Sequence, residues 1–122
     1  MPLPADYQAR AQQYNFASAE EVKQAMAQPD TYVLDVRTPE EITAGAKVEH
    51  ANWKQTNCTP EDCPALSMNP EEFVPNKDAT VVVYCRSGRR ASRAKEILQE
   101  KGYTGKIYNA GGVDDLLAVL ES

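Results

Sequence analysis

Thr80-Val81-Val82-Val83-Tyr84-Cys85-Arg86-Ser87-Gly88-Arg89-Arg90 is the stretch that decides the fold. Three successive valines without polar alternation imply a strand covered on both faces, as in the centre of a parallel sheet. The polar run after it is a loop, and Ala91, Ala94, Ile97 and Leu98 then recur at helical spacing. Lys101 and Gly102 close that helix. A buried strand feeding a helix through a short loop is the repeating unit of α/β folds, where ligands bind at the strand-to-helix junctions.

Working outward, the same alternation continues on both sides. Upstream, Ser18 and Glu21 make a capping box, and a helix from about Ala19 to Ala27 should stop before Pro29. Tyr32-Val33-Leu34-Asp35-Val36 is a short strand. Thr38-Pro39-Glu40-Glu41 combines a cap, a first-position proline and an acidic third residue, so a short helix runs from there to near Gly45. Downstream, Lys106-Ile107-Tyr108 is a strand, and Gly111-Gly112 turns the chain into a last helix with Leu116, Leu117 and Leu120. Strands alternating with helices predict a doubly wound parallel sheet. Residues 1–14, with two prolines and several polar side chains, read as an N-terminal tail or an adaptable first segment, and 15–122 as the domain. The span from Asn52 to Pro75 is irregular, with four prolines, two cysteines and one helical turn expected at Asn69-Pro70-Glu71-Glu72. Loops that long are functional or owe their order to some other source.

Composition bounds the function. With 13 Lys+Arg against 18 Asp+Glu among 122 residues, the net charge of −5 argues against nucleic acid as a partner. Mean hydropathy is −0.57, and no apolar run approaches the ~20 residues of a membrane span. Met1-Pro2-Leu3-Pro4-Ala5-Asp6 lacks the basic start and apolar stretch of a signal peptide. A cytoplasmic location is therefore expected, or an exported one if a leader has been removed. The charge is unevenly placed. Of six arginines (Arg10, Arg37, Arg86, Arg89, Arg90, Arg93), four fall within eight residues directly after Cys85. A basic helix face would account for that, and so would an anion held beside a thiol.

The chemistry of the loop separates these. The first N–H groups of a helix have no intrahelical partner, and a loop curling round the Cys85 sulfur would aim more of them at it. Gly88 permits a positive φ or a close backbone approach. Together with Arg86, Arg89 and Arg90, these dipoles favour thiolate over thiol. His50, the one histidine, follows Glu49 and reads as an incidental surface residue. A stabilised thiolate needs no general base.

Taken in order, Asp35-Val36-Arg37, Glu41, Gly45, Ala51-Asn52, Cys85-Arg86-Ser87-Gly88-Arg89-Arg90-Ala91 and Gly111-Gly112 resemble the rhodanese (sulfurtransferase) family from about Phe16 to the C-terminus. The resemblance implies a five-stranded, mostly parallel sheet flanked by helices on both faces. It implies that Cys85 takes a sulfane sulfur from a donor such as thiosulfate and passes the persulfide sulfur to cyanide or a thiol. Arg86, Ser87, Gly88, Arg89 and Arg90 would form the substrate-binding cradle, with Arg90 first among the arginines for meeting the donor and departing sulfite. Asp35 and Arg37 would support the site, although a strand-end cap also accounts for Asp35. Neither a metal nor an organic cofactor is expected, and the protein is expected to be a monomer. Departures concern the subfamily: Ile42 replaces an aromatic residue, Gly45-Ala46-Lys47 replaces Gly-His-Ile, and no Trp follows the double glycine.

Rival readings remain. Phosphatases and arsenate reductases on this fold need Arg six positions after Cys to surround a tetrahedral oxyanion, but position 91 is Ala and Arg90 falls at five. Tyr84 also stands where many phosphatases carry His. A non-catalytic binding module typically lacks the nucleophile. A relay handing sulfur to a protein acceptor shares every feature of the enzyme. Cys58 and Cys63, with four residues between them, are read first as free loop thiols. A disulfide is sterically open and would order the long loop, while zinc would need ligands the chain scarcely offers.

Overall fold

The computed structural model describes residues 2–122. Residues Tyr7–Tyr14, expected as a tail, form helix α1. They contain no proline, glycine or β-branched side chain, so little opposes a helix once one side docks. Helix α2 (Ala19–Met26) begins as expected: the Ser18 hydroxyl accepts the Glu21 N–H while the Glu21 carboxylate accepts the Ser18 N–H. After strand β1 (Tyr32–Asp35), Thr38 and Glu41 close the same reciprocal box on α3 (Pro39–Ala44).

The sheet also contains β2 (Trp53–Gln55), β3 (Val81–Cys85) and β4 (Ile107–Gly112). All pairings are parallel, in the order β2-β1-β3-β4. Four strands are present among the described residues, not the five expected. One of the four, β2, lies in the irregular stretch, where it pairs with Val33–Asp35. The remainder of that stretch holds α4 (Pro64–Met68) and a 3-10 turn at Pro70–Glu72. Its prolines cannot donate to a ladder, which keeps the segment out of the sheet. Cys58 and Cys63 are joined by a disulfide, with Cα atoms 4.2 Å apart, in place of the two free thiols first expected.

Alternation along β3 divides the core. Val81, Val83 and Cys85 pack with Leu34, Leu66 and Val74, and with Ala91, Ala94, Ile97 and Leu98 of α5 (Arg89–Glu100). Val82 and Tyr84 face Val22 and Ala25 of α2, and Leu116 and Val119 of α6 (Val113–Glu121). All five residues of β3 are buried, as the unbroken valine run predicts. Helices thus cover both faces, and the carboxyl ends of β1, β3 and β4 meet along one edge. The loop after Cys85 sits there.

Candidate active site

Cys85 ends β3 at an irregularity in the ladder, where the pairing of Val83 with Asn109 gives way to that of Cys85 with Gly112. Its side chain is buried. Gly88 adopts a φ of 96°, a left-handed conformation that glycine takes without a Cβ penalty. Its N–H donates to the Cys85 sulfur at 3.0 Å. The Arg89 N–H turns to the Ser87 hydroxyl oxygen at 3.4 Å instead. The cradle expected from Arg86 to Arg90 therefore contributes one directed N–H to the sulfur itself. Helix α5 begins immediately after, its first turn facing the loop.

The four arginines after Cys85 divide into three environments. Arg90 forks onto Glu41, with Nη1–Oε1 at 2.7 Å and Nη2–Oε2 at 2.8 Å. This pair joins α5 to α3. The Arg90 guanidinium, reinforced by the Thr38 N–H, holds the Glu41 carboxyl down at about 2, against the opposing effect of burial. The same pairing pushes the Arg90 pKa up. Arg86 has a side chain 75% exposed and lies 3.9 Å from Glu41 Oε2, so its head is largely open to solvent. Arg89 is also exposed. Arg93 points elsewhere, to the Glu61 carbonyl at 2.7 Å and to Glu96 and Glu100. Above the loop is a cleft of about 390 Å³ whose walls include Arg10, Arg86, Ser87, Arg90, Asp114 and Asp115.

Asp35 and Arg37 are both buried and bind each other. Arg37 Nη2 meets Asp35 Oδ2 at 2.7 Å and Nε meets Oδ1 at 3.0 Å, while the Arg37 N–H donates to Oδ1 at 3.1 Å. The last bond closes the strand end, so Asp35 is a cap and a counterion at once. The Arg37 guanidinium lies 5.6 Å from the centre of the Tyr84 ring, and its carbonyl accepts from Gln55 Nε2 at 2.8 Å. Burial raises the Tyr84 pKa, and its hydroxyl accepts from Trp53 Nε1 at 2.8 Å. These contacts brace the ends of β1 and β3 beside the loop. Breaking one partner of such a buried pair would strand a charge.

His50 lies apart from this edge. Its ring bonds to the Gln28 carbonyl at 3.0 Å and to the Asn52 N–H at 3.1 Å, at the amino ends of β1 and β2.

Three further contacts hold the loop. A Cβ on Gly112 would come within 2.0 Å of the Arg86 carbonyl oxygen, so the double glycine is where two backbones touch. Asn109 is fully buried and donates to the Gly88 carbonyl at 2.9 Å and to the Tyr14 carbonyl at 3.2 Å, while its side-chain oxygen accepts the Gly111 N–H at 2.9 Å. Arg10 donates to the Ser87 carbonyl at 3.0 Å. Carbonyls of three successive loop residues, 86 to 88, are thus met from outside the loop. Phe16 packs its ring where side chains on Gly88 and Gly111 would stand. Asn109 carried a usable signal, a buried-strand position occupied by an amide just before the double glycine. Arg10 carried none, since Ser87 lies 77 residues away.

Residues 18–118 match the rhodanese-like domain family. Thiosulfate sulfurtransferase PspE of Escherichia coli is 56% identical over 43 residues, which make up 35% of this chain and 40% of that protein. The alignment therefore spans less than half of that relative. A sulfurtransferase of Allochromatium vinosum is 30% identical over 105 residues, covering 80% of this chain and 82% of its own length. Among solved structures, a rhodanese with anions from E. coli superposes with a TM-score of 0.56 at 35% identity, covering 70% of this chain and 89% of that one.

Proposed function

This chain belongs to the rhodanese-like domain family, and from that membership we propose that it moves a sulfane sulfur from a small anionic donor such as thiosulfate to a thiophilic acceptor, through a persulfide on Cys85. Sulfur transfer in general follows from its relatives; the donor, the persulfide and the residue roles are our reading. The observation that carries it is Cys85 at the carboxyl end of β3, with the Gly88 N–H on its sulfur. In the first half-reaction the Cys85 thiolate attacks the outer sulfur of thiosulfate. The S–S bond breaks and sulfite leaves with the electron pair. In the second, cyanide or a thiolate attacks the outer persulfide sulfur, and the Cys85 thiolate is restored.

Negative charge sits near this sulfur throughout, and fixed dipoles and cations stabilise it without reorganising. The exposed Arg86 and Arg89 heads suit recruitment of the dianionic donor and release of sulfite. Arg90, committed to Glu41 by two short bonds, suits fixing the start of α5. Asp35 and Arg37 support the strand ends.

The size of the loop favours sulfur over phosphate. A protein acceptor would make the same persulfide a relay, and the second half-reaction would be unchanged. The disulfide supports an oxidising compartment, hence the exported alternative over the cytoplasmic one.

Intact mass after incubation with thiosulfate tests the reading. The wild type should gain one sulfur atom, released by cyanide, and Cys85→Ser should gain none, its turnover dropping by at least about a thousandfold. Equal loading of the two proteins would sink the proposal. A wild type that loads from no donor would favour a binding module.

A further inference from the structure

Arg10 lies outside every motif of the sequence, yet its guanidinium is the most fully engaged in the molecule. It forks onto Asp115 with Nη1–Oδ2 at 2.7 Å and Nη2–Oδ1 at 2.9 Å, and it meets Asp6 at 3.0 Å through Nε and again through Nη2. It also donates to the Ser87 carbonyl oxygen, 3.0 Å from Nη1. We propose that Arg10 is a positioning residue for Cys85, acting on the sulfur through the Ser87–Gly88 peptide. The inference rests on the reading of Cys85 as the nucleophile.

The geometry is specific. A trans peptide is planar, with its C=O and N–H on opposite edges. Arg10 holds the oxygen edge of the Ser87–Gly88 unit, and the nitrogen edge donates to Cys85 Sγ at 3.0 Å. A cation on the carbonyl withdraws electron density from the nitrogen and strengthens its N–H as a donor, since linked hydrogen bonds polarise one another. It also fixes the plane, so the N–H keeps its aim when the sulfur becomes charged. Two independent bonds to Asp115 set the orientation of the guanidinium. Asp115 is buried and itself held by the Gly112 N–H at 2.6 Å. The contact with Ser87 is therefore imposed by the junction of β4 and α6, with Phe16 stacked under Arg10 at 5.8 Å. The planar fork of arginine is needed, because a lysine ammonium cannot satisfy Asp115 bidentately and Ser87 together.

Other charges face the same loop and form a background that a change at Arg10 leaves in place. These are Arg90 with Glu41 from α5 and α3, Arg86 and Arg89 in the loop and at the start of α5, and the Asp35–Arg37 pair at the end of β1. At the start of α6 the charges are Asp115 and Asp114.

The test is the pH profile of Cys85 alkylation by iodoacetamide in wild type, Arg10→Gln, Arg10→Met and Arg10→Lys. The disulfide is kept intact, the fold is checked by near-ultraviolet circular dichroism, and sulfur loading from thiosulfate is read on the same samples. The Gln and Met variants should shift the midpoint upward by up to about one pH unit, which slows alkylation on the acid side threefold to about tenfold. Lys should recover part of the shift. Profiles superimposable on the wild type, in variants that fold, would make Arg10 a stabilising residue alone and overturn the proposal. Loss of fold in both the Gln and the Met variant would do the same. A wild type that fails to load sulfur would instead remove the Cys85 reading, while the alkylation profiles still report whether Arg10 reaches the thiol.

Discussion

Two cysteine-bearing loops of this molecule are ordered in opposite ways. The segment from Cys58 to Cys63 is closed by a covalent bond between its own ends, only five positions apart. The segment from Cys85 to Arg90 keeps its sulfur free and is held by residues far along the chain: Arg10 on Ser87, Asn109 on Gly88, and the bare Cα of Gly112 against Arg86. The first loop uses its thiols as a clasp. A loop that keeps its sulfur free is braced instead by hydrogen bonds to its carbonyls and by glycine contacts. Order in the first is local and redox-dependent. Order in the second is tertiary and depends on charge.

The contrast can be broken at several points. The largest effect should come from Gly112→Ala, because the added methyl would meet backbone, which cannot rotate away. A loss of roughly 2–3 kcal/mol in denaturant unfolding is expected, with sulfur loading slowed more than tenfold. Unchanged loading would show that the loop tolerates displacement and that its bracing is incidental.

Glu41→Gln comes next. The Glu41 pKa is held down at about 2 by Arg90, from an ordinary value of 4.5, so the folded state favours the carboxylate. Its contribution is complete above the ordinary value and is lost as pH falls from about 4.5 through about 2. At pH 7 the variant should be less stable by about 2 kcal/mol. The two proteins should converge in stability as pH approaches 2, as read by denaturant melts across that range. A gap that persists at pH 2 would show that the pair acts through packing.

The smallest effect should follow removal of the disulfide by Cys58→Ala with Cys63→Ala. So short a loop loses little chain entropy on closure, so roughly 1–2 kcal/mol of stability is expected to go. Sulfur loading of Cys85 should stay within about twofold of wild type. A large loss of loading would join the two loops functionally and erase the contrast.

How legible each loop was follows from the range of its interactions. The starts of α2 and α3 could be read from Ser18–Glu21 and Thr38–Glu41 because a capping box spans three residues. Burial of β3 could be read from its valines. Cys85, Gly88 and the double glycine could be placed because a strand-loop-helix junction has a local signature. The helix within the first residues was not legible for the opposite reason. α1 buries none of its residues fully, so no periodic stripe announced it. What docks it is a salt bridge to Asp115 and the neighbouring Phe16. The count of five strands, drawn from resemblance, gave way to four among the described residues, with β2 only three residues long.

By itself, then, the sequence determined the α/β class, the alternation of strand and helix, and the place of Cys85 at a strand-to-helix junction. Each of these is written in interactions between residues a few positions apart. Only the tertiary structure decided that Arg90 is tied to Glu41 while Arg86 stays open, that Cys58 and Cys63 pair, and that Arg10 closes on Ser87. A charged side chain has many complementary partners along a chain, and only the folded backbone brings one of them within 3 Å.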